Sequence, residues 1–209
     1  MSRYLAVIFD LDGTLVDSEG LANATMAEHL NRLGVPLDAA GIEAWLKGRS
    51  LPDCYAMVHE RYGVTVTAAV DAAMQADFFD RLRRDLQPMP GIAAALERIE
   101  LPMAVASSSE PEKIELELAL TGLARFFGRH AYSGRQVPRP KPAPDVYLHA
   151  ARQLGQAPAA CAVVEDSAPG IAAGLAAGMT VFAYRAGWVT GVTNYDDHAD
   201  LPGLLGLES

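Results

Sequence analysis

Asp10-Leu11-Asp12-Gly13-Thr14 sets two carboxylates two residues apart, directly after an apolar run. Carboxylates that close repel each other unless a proton or a cation stands between them, which invites a divalent metal. Gly13 lets the chain turn away tightly. A second acidic pair, Glu165-Asp166 followed by Ser167, ends another apolar run. If the two runs are neighbours, four carboxylates meet at one place, and such a cluster without a cation is strongly self-repulsive. Groups of complementary chemistry are also present. Ser107-Ser108-Ser109 ends a third run, where hydroxyls and helix N-terminal amides can hold anionic oxygens. Lys141 is one of three lysines, with Lys47 and Lys113, and prolines at 140, 142 and 144 restrict the backbone around it. Each feature alone has a plainer reading: an Asp/Gly turn, an acidic first turn of a helix, a solvated loop lysine. Taken together, the carboxylates favour a metal site.

These residues need elements to position them. Leu5–Phe9 (LAVIF), Met103–Ala106 (MAVA), Ala162–Val164 (AVV) and Thr180–Tyr184 (TVFAY) are continuous apolar runs, with Ala131–Tyr132 a weaker one. Such runs read as strands buried on both faces, and the helical sequence between them predicts a parallel sheet with right-handed crossovers. Ligands of open α/β sheets bind outside the carboxyl ends of the strands, where both acidic pairs fall. From about Val16 to Pro88 the pattern changes to helix-period apolar positions such as Leu30, Leu33, Trp45, Leu46, Tyr55, Val58, Phe78 and Leu82. Ser50 reads as an N-cap with Pro52 in the first turn and Gly63 as the stop. Ser109-Glu110-Pro111-Glu112 has capping-box spacing. Gly170, Gly174 and Gly178 recur every four residues and would let a helix approach the sheet closely.

The 209 residues suffice for one good-sized domain or for one domain carrying a smaller insert. The net charge of −9 leaves no basic footprint for nucleic acid. Cys54 and Cys161 form neither a zinc pattern nor a disulfide framework, which suits a reducing cytosol. The first apolar run is too short for a signal-peptide core, and no stretch reaches transmembrane length. A cytoplasmic protein with no membrane partner is expected, with monomer as the default state.

The ordered set Asp10-x-Asp12-Gly13-Thr14, Ser107, Lys141 before Pro-x-Pro-Asp, and Glu165-Asp166-Ser167 resembles the four motifs of the haloacid dehalogenase-like superfamily. The match runs from about Ala6 to Tyr184. The helical segment resembles the small cap of the β-phosphoglucomutase-like branch, and the overall texture is similar to bacterial sugar phosphatases, including those acting on 6-phosphogluconate. The resemblance implies an α/β fold: a three-layer Rossmann-like parallel sheet core (1–15 and 89–209) with an inserted small α-helical cap (16–88). It implies a magnesium-dependent phosphatase acting on small phosphate esters. Asp10 would be the nucleophile and Asp12 the general acid and base. Magnesium would be held by the Asp10 carboxylate, the Asp12 main-chain carbonyl and Asp166, with Glu165 close by or acting through water. Thr14, Ser107, Ser108 and Lys141 would bind phosphate, Lys141 would also offset charge on Asp10, and Lys47 and Arg49 would contact the rest of the substrate from the cap. Lys47 and Arg49 read equally well as a solvated helix end.

Asp12 argues for phosphate esters, since dehalogenases and phosphonate hydrolases of the superfamily lack it. Mutases of the branch carry a histidine where this chain has Ala22, which favours hydrolysis over the mutase alternative. A receiver-like protein would have its acceptor on a later strand and no helical insert. A non-catalytic phosphate-binding regulator would need degenerate motifs, yet each expected chemical group is present.

Overall fold

The computed structural model describes residues 3–46 and 49–207. The chain opens with β1 (Ala6–Phe9) and continues through α1 (Glu19–Arg32), α2 (Ala39–Leu46), α3 (Leu51–Tyr62) and α4 (Ala68–Asp85). It then alternates: α5 (Ile92–Glu97), β2 (Met103–Ser107), α6 (Pro111–Leu120), α7 (Ala124–Phe127), β3 (Ala131–Ser133), α8 (Asp145–Gln153), β4 (Cys161–Glu165), α9 (Ala168–Ala176), β5 (Thr180–Tyr184), β6 (Thr193–Tyr195) and α10 (Leu201–Leu204). The strands form one parallel sheet in the order β3-β2-β1-β4-β5-β6. This is the parallel α/β sheet that the apolar runs predict and the Rossmann-like core that the resemblance implies. The order reverses at β1, so the carboxyl ends of β1, β2 and β4 lie side by side. Phe9 is in register with both Val105 of β2 and Val164 of β4. Asp10, Ser107 and Glu165 therefore share one stretch of sheet edge, the switch point at which open α/β sheets bind ligands.

The strands that position the site are buried along their length, because helices cover both faces of a parallel sheet. One face packs Ile8, Ala104 and Val163 against Val146, Tyr147 and Ala150 of α8 and Ile171 of α9. Strand β6 escapes the sequence reading, because Thr193-Asn194-Tyr195 is a short, mostly polar edge segment without an apolar run.

The chain divides into two compact units, residues 1–17 with 87–209, and residues 18–86. The division falls at 17 and 87 rather than at 15 and 89. Val16 forms bridges to Asp12 and Pro88, and the Asp17 N–H donates to the Gln87 carbonyl at 3.0 Å. The helical unit has its own core of Leu30, Val35, Ile42, Cys54 and Val58, with Trp45 and Tyr55 packed beside it. Its third helix starts and stops on the expected residues. Ser50 accepts from the Asp53 N–H, Pro52 is in the first turn, and Gly63 is left-handed at φ 67°. No helix among the described residues is long and apolar enough to cross a membrane.

Gly174 holds α9 close to the sheet, since an added Cβ would lie 2.8 Å from Cγ2 of Val181 and 3.3 Å from Cγ1 of Val163. Gly178 follows the helix as a left-handed turn and makes no such approach. The variant Gly174→Ala should lose about 1–3 kcal/mol despite alanine's better helix propensity, because β-branched valines yield little. Its urea midpoint should fall, and an unchanged midpoint would mean that α9 can shift without penalty.

Candidate active site

Asp10 leaves β1 with its N–H donating to the Val164 carbonyl at 2.9 Å, so the backbone pins the carboxylate to the sheet edge. The Lys141 ammonium donates to Asp10 Oδ1 at 2.6 Å and to Glu165 Oε1 at 2.7 Å, and lies 4.7 Å above the Tyr147 ring. The Lys141 side chain is only 4% exposed, so the solvated loop reading of this lysine gives way to a buried ion pair. The ordinary fate of a lone lysine is overturned because two buried carboxylates wait at the end of its reach.

Glu165 is fully buried and accepts four donors: Lys141, the Tyr147 hydroxyl at 3.0 Å, and the Ser167 N–H and hydroxyl at 2.8 and 2.9 Å. Gly170 makes room for it, since a Cβ there would fall 1.5 Å from Glu165 Oε1. Asp166 accepts from the Thr14 hydroxyl at 3.1 Å and lies so close to Gly13 (φ 80°) that a Cβ would come within 2.4 Å of Oδ2. Oxygens of Asp10, Glu165 and Asp166 all lie within 4.8 Å of one another. Burial, with Glu165 and Asp166 adding to it against Lys141, pushes the Asp10 carboxyl well above the usual range. Burial alone would lower Lys141, yet Asp10, Tyr147 and Glu165 lift it well above an ordinary lysine. Charge that holds a proton this firmly also favours a divalent cation.

Asp12 is not part of that cluster. Its Oδ2 accepts from the Ser109 hydroxyl at 2.7 Å and its Oδ1 from Lys113 at 2.5 Å. Three carboxylates, rather than the expected four, therefore converge. Ser109 does not cap α6 through a capping box, because Glu110 occupies the cap position, and the Ser109 hydroxyl donates to Asp12 instead. Lys113 also pairs at 2.8 Å with Glu117, a fully buried acid. Burial, then the charge of Asp12, pushes the Glu117 carboxyl up to about 7 against the pull of Lys113.

Ser107 is buried and its hydroxyl accepts the Ser109 N–H at 3.0 Å, which leaves its own O–H to donate. Ser108 is exposed beside it. Arg49 is exposed and precedes the α3 cap in the helical unit, while Lys47 lies outside the described residues. Lys113, Glu117, Tyr147 and His198 were not singled out for the site by sequence reasoning. The one available signal was the Lys113/Glu117 spacing of four, just after the serine run.

His198 is fully buried and packs with a defined task. Its Nε2 lies 2.9 Å from the Thr14 carbonyl, which can only accept, so Nε2 carries the proton. Nδ1 is then free to accept from the Tyr195 hydroxyl at 3.2 Å, and the Tyr184 ring stacks at 3.9 Å. This fixes the turn after Asp12 from the far end of the sheet.

The haloacid dehalogenase-like hydrolase family matches this chain over residues 4–178. Among relatives, a 6-phosphogluconate phosphatase of Escherichia coli is 33% identical over 89% of this chain and 85% of its own. A fructose-1-phosphate phosphatase of the same organism is 30% identical over 85% of this chain and 94% of its own. Among solved structures, a HAD family hydrolase of Deinococcus radiodurans with bound phosphate and sodium superposes with a TM-score of 0.87. It is 30% identical and covers 100% of this chain and 99% of that one.

Burial lowers His198 to about 4, from the ordinary 6.5 that it regains on unfolding. The unfolded chain then takes up the proton first. Stability from this group is full above about pH 6.5 and is lost as pH falls toward 4, by on the order of 3 kcal/mol. His198→Gln, which keeps a donor for Thr14, should flatten that acid limb in urea titrations run from pH 7 to pH 4. An acid limb of unchanged slope would contradict the buried neutral tautomer.

Proposed function

We propose that this chain, which belongs to the haloacid dehalogenase-like hydrolase family, hydrolyses small phosphate monoesters, sugar or sugar-acid phosphates, through a phosphoryl group carried on Asp10. The observation that carries the reading is the Asp10 carboxylate, pinned at the switch point and held 2.6 Å from the Lys141 ammonium. The phosphatases of sugar phosphates among the relatives support the substrate class.

In the first step an oxygen of Asp10 bonds to phosphorus while the ester P–O bond breaks, and the departing oxygen takes a proton from Asp12. In the second, a water oxygen bonds to phosphorus and yields its proton to Asp12. The bond to Asp10 breaks, inorganic phosphate leaves, and both carboxyl groups return to their starting state. Phosphoryl transfer asks mostly for positioning and charge neutralisation. Lys141, Thr14, Ser107 and Ser108 would meet the phosphate oxygens, and Lys141 favours the ionised form of Asp10 against the effect of its burial.

The donor set fits a hard divalent cation, because it is all oxygen and carries more negative charge than Lys141 offsets. Magnesium would be held by the carboxylates of Asp10 and Asp166 with the Asp12 main-chain carbonyl. When bound it supplies charge neutralisation on the transferring group. Glu165, already bonded to four donors, would act beside it by fixing Lys141 and the Ser167 turn. Residues 18–86 would serve as the cap that selects the alcohol portion of the ester, with Lys47 and Arg49 as contacts.

Phosphate release should be measured over 6-phosphogluconate, hexose and pentose phosphates, phosphoglycolate and glucose 1-phosphate, the last with a separate assay for isomerisation. Turnover should require magnesium and vanish with chelator. Asp10→Asn should lower it by about a thousandfold or more, equivalent to about 4 kcal/mol of barrier. No release from any ester with magnesium supplied would sink the reading.

A further inference from the structure

We infer that Lys113 and Glu117 are positioning residues for Asp12, fixing its carboxylate for both proton transfers; this rests on the role of Asp12 proposed above. Asp12 lies two residues from Asp10, yet its carboxylate takes no part in the acidic cluster. Groups from the β2–α6 segment hold it instead. The Lys113 ammonium donates to Asp12 Oδ1 at 2.5 Å and to Ser109 Oγ at 3.2 Å, and it is ion-paired with Glu117 Oε1 at 2.8 Å without the angle of a hydrogen bond. Its orientation is therefore set by its neighbours, and Ser109, Lys113 and Glu117 follow one another at intervals of four along the chain.

Glu117 is the revealing member. It is fully buried, and apart from Lys113 no described donor reaches either of its oxygens. An apolar side chain in such a place would be as stable or more so, since a buried carboxylate carries a large desolvation penalty. Packing therefore gives no account of Glu117, whereas holding the Lys113 ammonium does. Lys113 in turn, with the Ser109 hydroxyl on the other oxygen, ties down both oxygens of Asp12. An acid or base must sit within hydrogen-bond reach of the proton it exchanges, so a carboxylate released from this grip would serve both steps poorly.

The test uses the full chain with magnesium, on the best sugar phosphate and on p-nitrophenyl phosphate. p-Nitrophenolate departs without needing a proton, so on that ester only the attack of water still depends on Asp12. Lys113→Met should lower kcat on the sugar phosphate by roughly tenfold to a hundredfold, within the range of acid–base contributions, with KM changed by less than about threefold. On p-nitrophenyl phosphate it should give a burst of nitrophenolate equal to the enzyme, followed by slow turnover. Glu117→Gln should show the same split in milder form, and Lys113→Arg should recover part of kcat. Should Lys113→Met fail to fold, Glu117→Gln carries the test. A merely structural role would lower the melting temperature and the folded fraction but create no burst. Wild-type kcat in both Lys113→Met and Glu117→Gln, or losses matching the unfolded fraction with no burst, would overturn the inference alone. Absence of turnover by the unaltered enzyme on every ester would overturn the reading of Asp12 and this inference with it.

Discussion

Three carboxylates share a few ångströms at the carboxyl end of the sheet, and the neighbouring structure is arranged around making that tolerable. Lys141 supplies one charge against Asp10 and Glu165, and its burial makes that charge count for more than it would in water. Glu165 needs four donors to be held without solvent, so Tyr147 at the start of α8 and the Ser167 turn at the start of α9 are both drawn to it. Glu165 leaves no space for a side chain at 170, and Asp166 leaves none at 13. The residual negative charge is what a divalent cation would neutralise, and phosphoryl transfer needs that same neutralisation.

The first loop resolves a second problem of like charge. Asp10 and Asp12 are two residues apart, and the chain keeps them separate by giving each its own ammonium, Lys141 for one and Lys113 for the other. Two of the chain's three lysines are thus committed to the site in a protein of net charge −9. A net charge of −9 does not prevent two largely buried ammonium groups from acting locally, because the Debye length is short.

The parallel sheet was legible because strands covered on both faces must be apolar throughout, and LAVIF, MAVA, AVV and TVFAY leave little alternative. The acidic pairs were legible because strand ends are where such sheets expose chemistry. What stayed hidden depends on side-chain burial across the chain. Only the family resemblance pointed to Lys141 meeting Asp10, because nothing local in Pro140-Lys141-Pro142 links its ammonium to a residue 131 positions earlier and a lone lysine is ordinarily solvated. Glu117 sits among helix-period residues and looks like a solvated acid until α6 is seen packed against the sheet. Ser109 looked like a helix cap because the local pattern satisfies that rule, but the helix begins one residue later with Glu110 at the cap, and the Ser109 hydroxyl donates to Asp12. His198 is 184 residues from the carbonyl it holds, a separation that no local pattern reveals.

The central claim is that phosphoryl transfer passes through a covalent bond to Asp10. Acyl phosphates are reduced by borohydride to the alcohol, so enzyme quenched with borohydride during steady-state turnover should carry homoserine in place of Asp10, read by peptide mass spectrometry. The label should appear only with substrate and magnesium, and be absent from Asp10→Asn. Turnover with no reducible residue, or with the label on Asp12, Glu165 or Asp166 instead, would contradict the account.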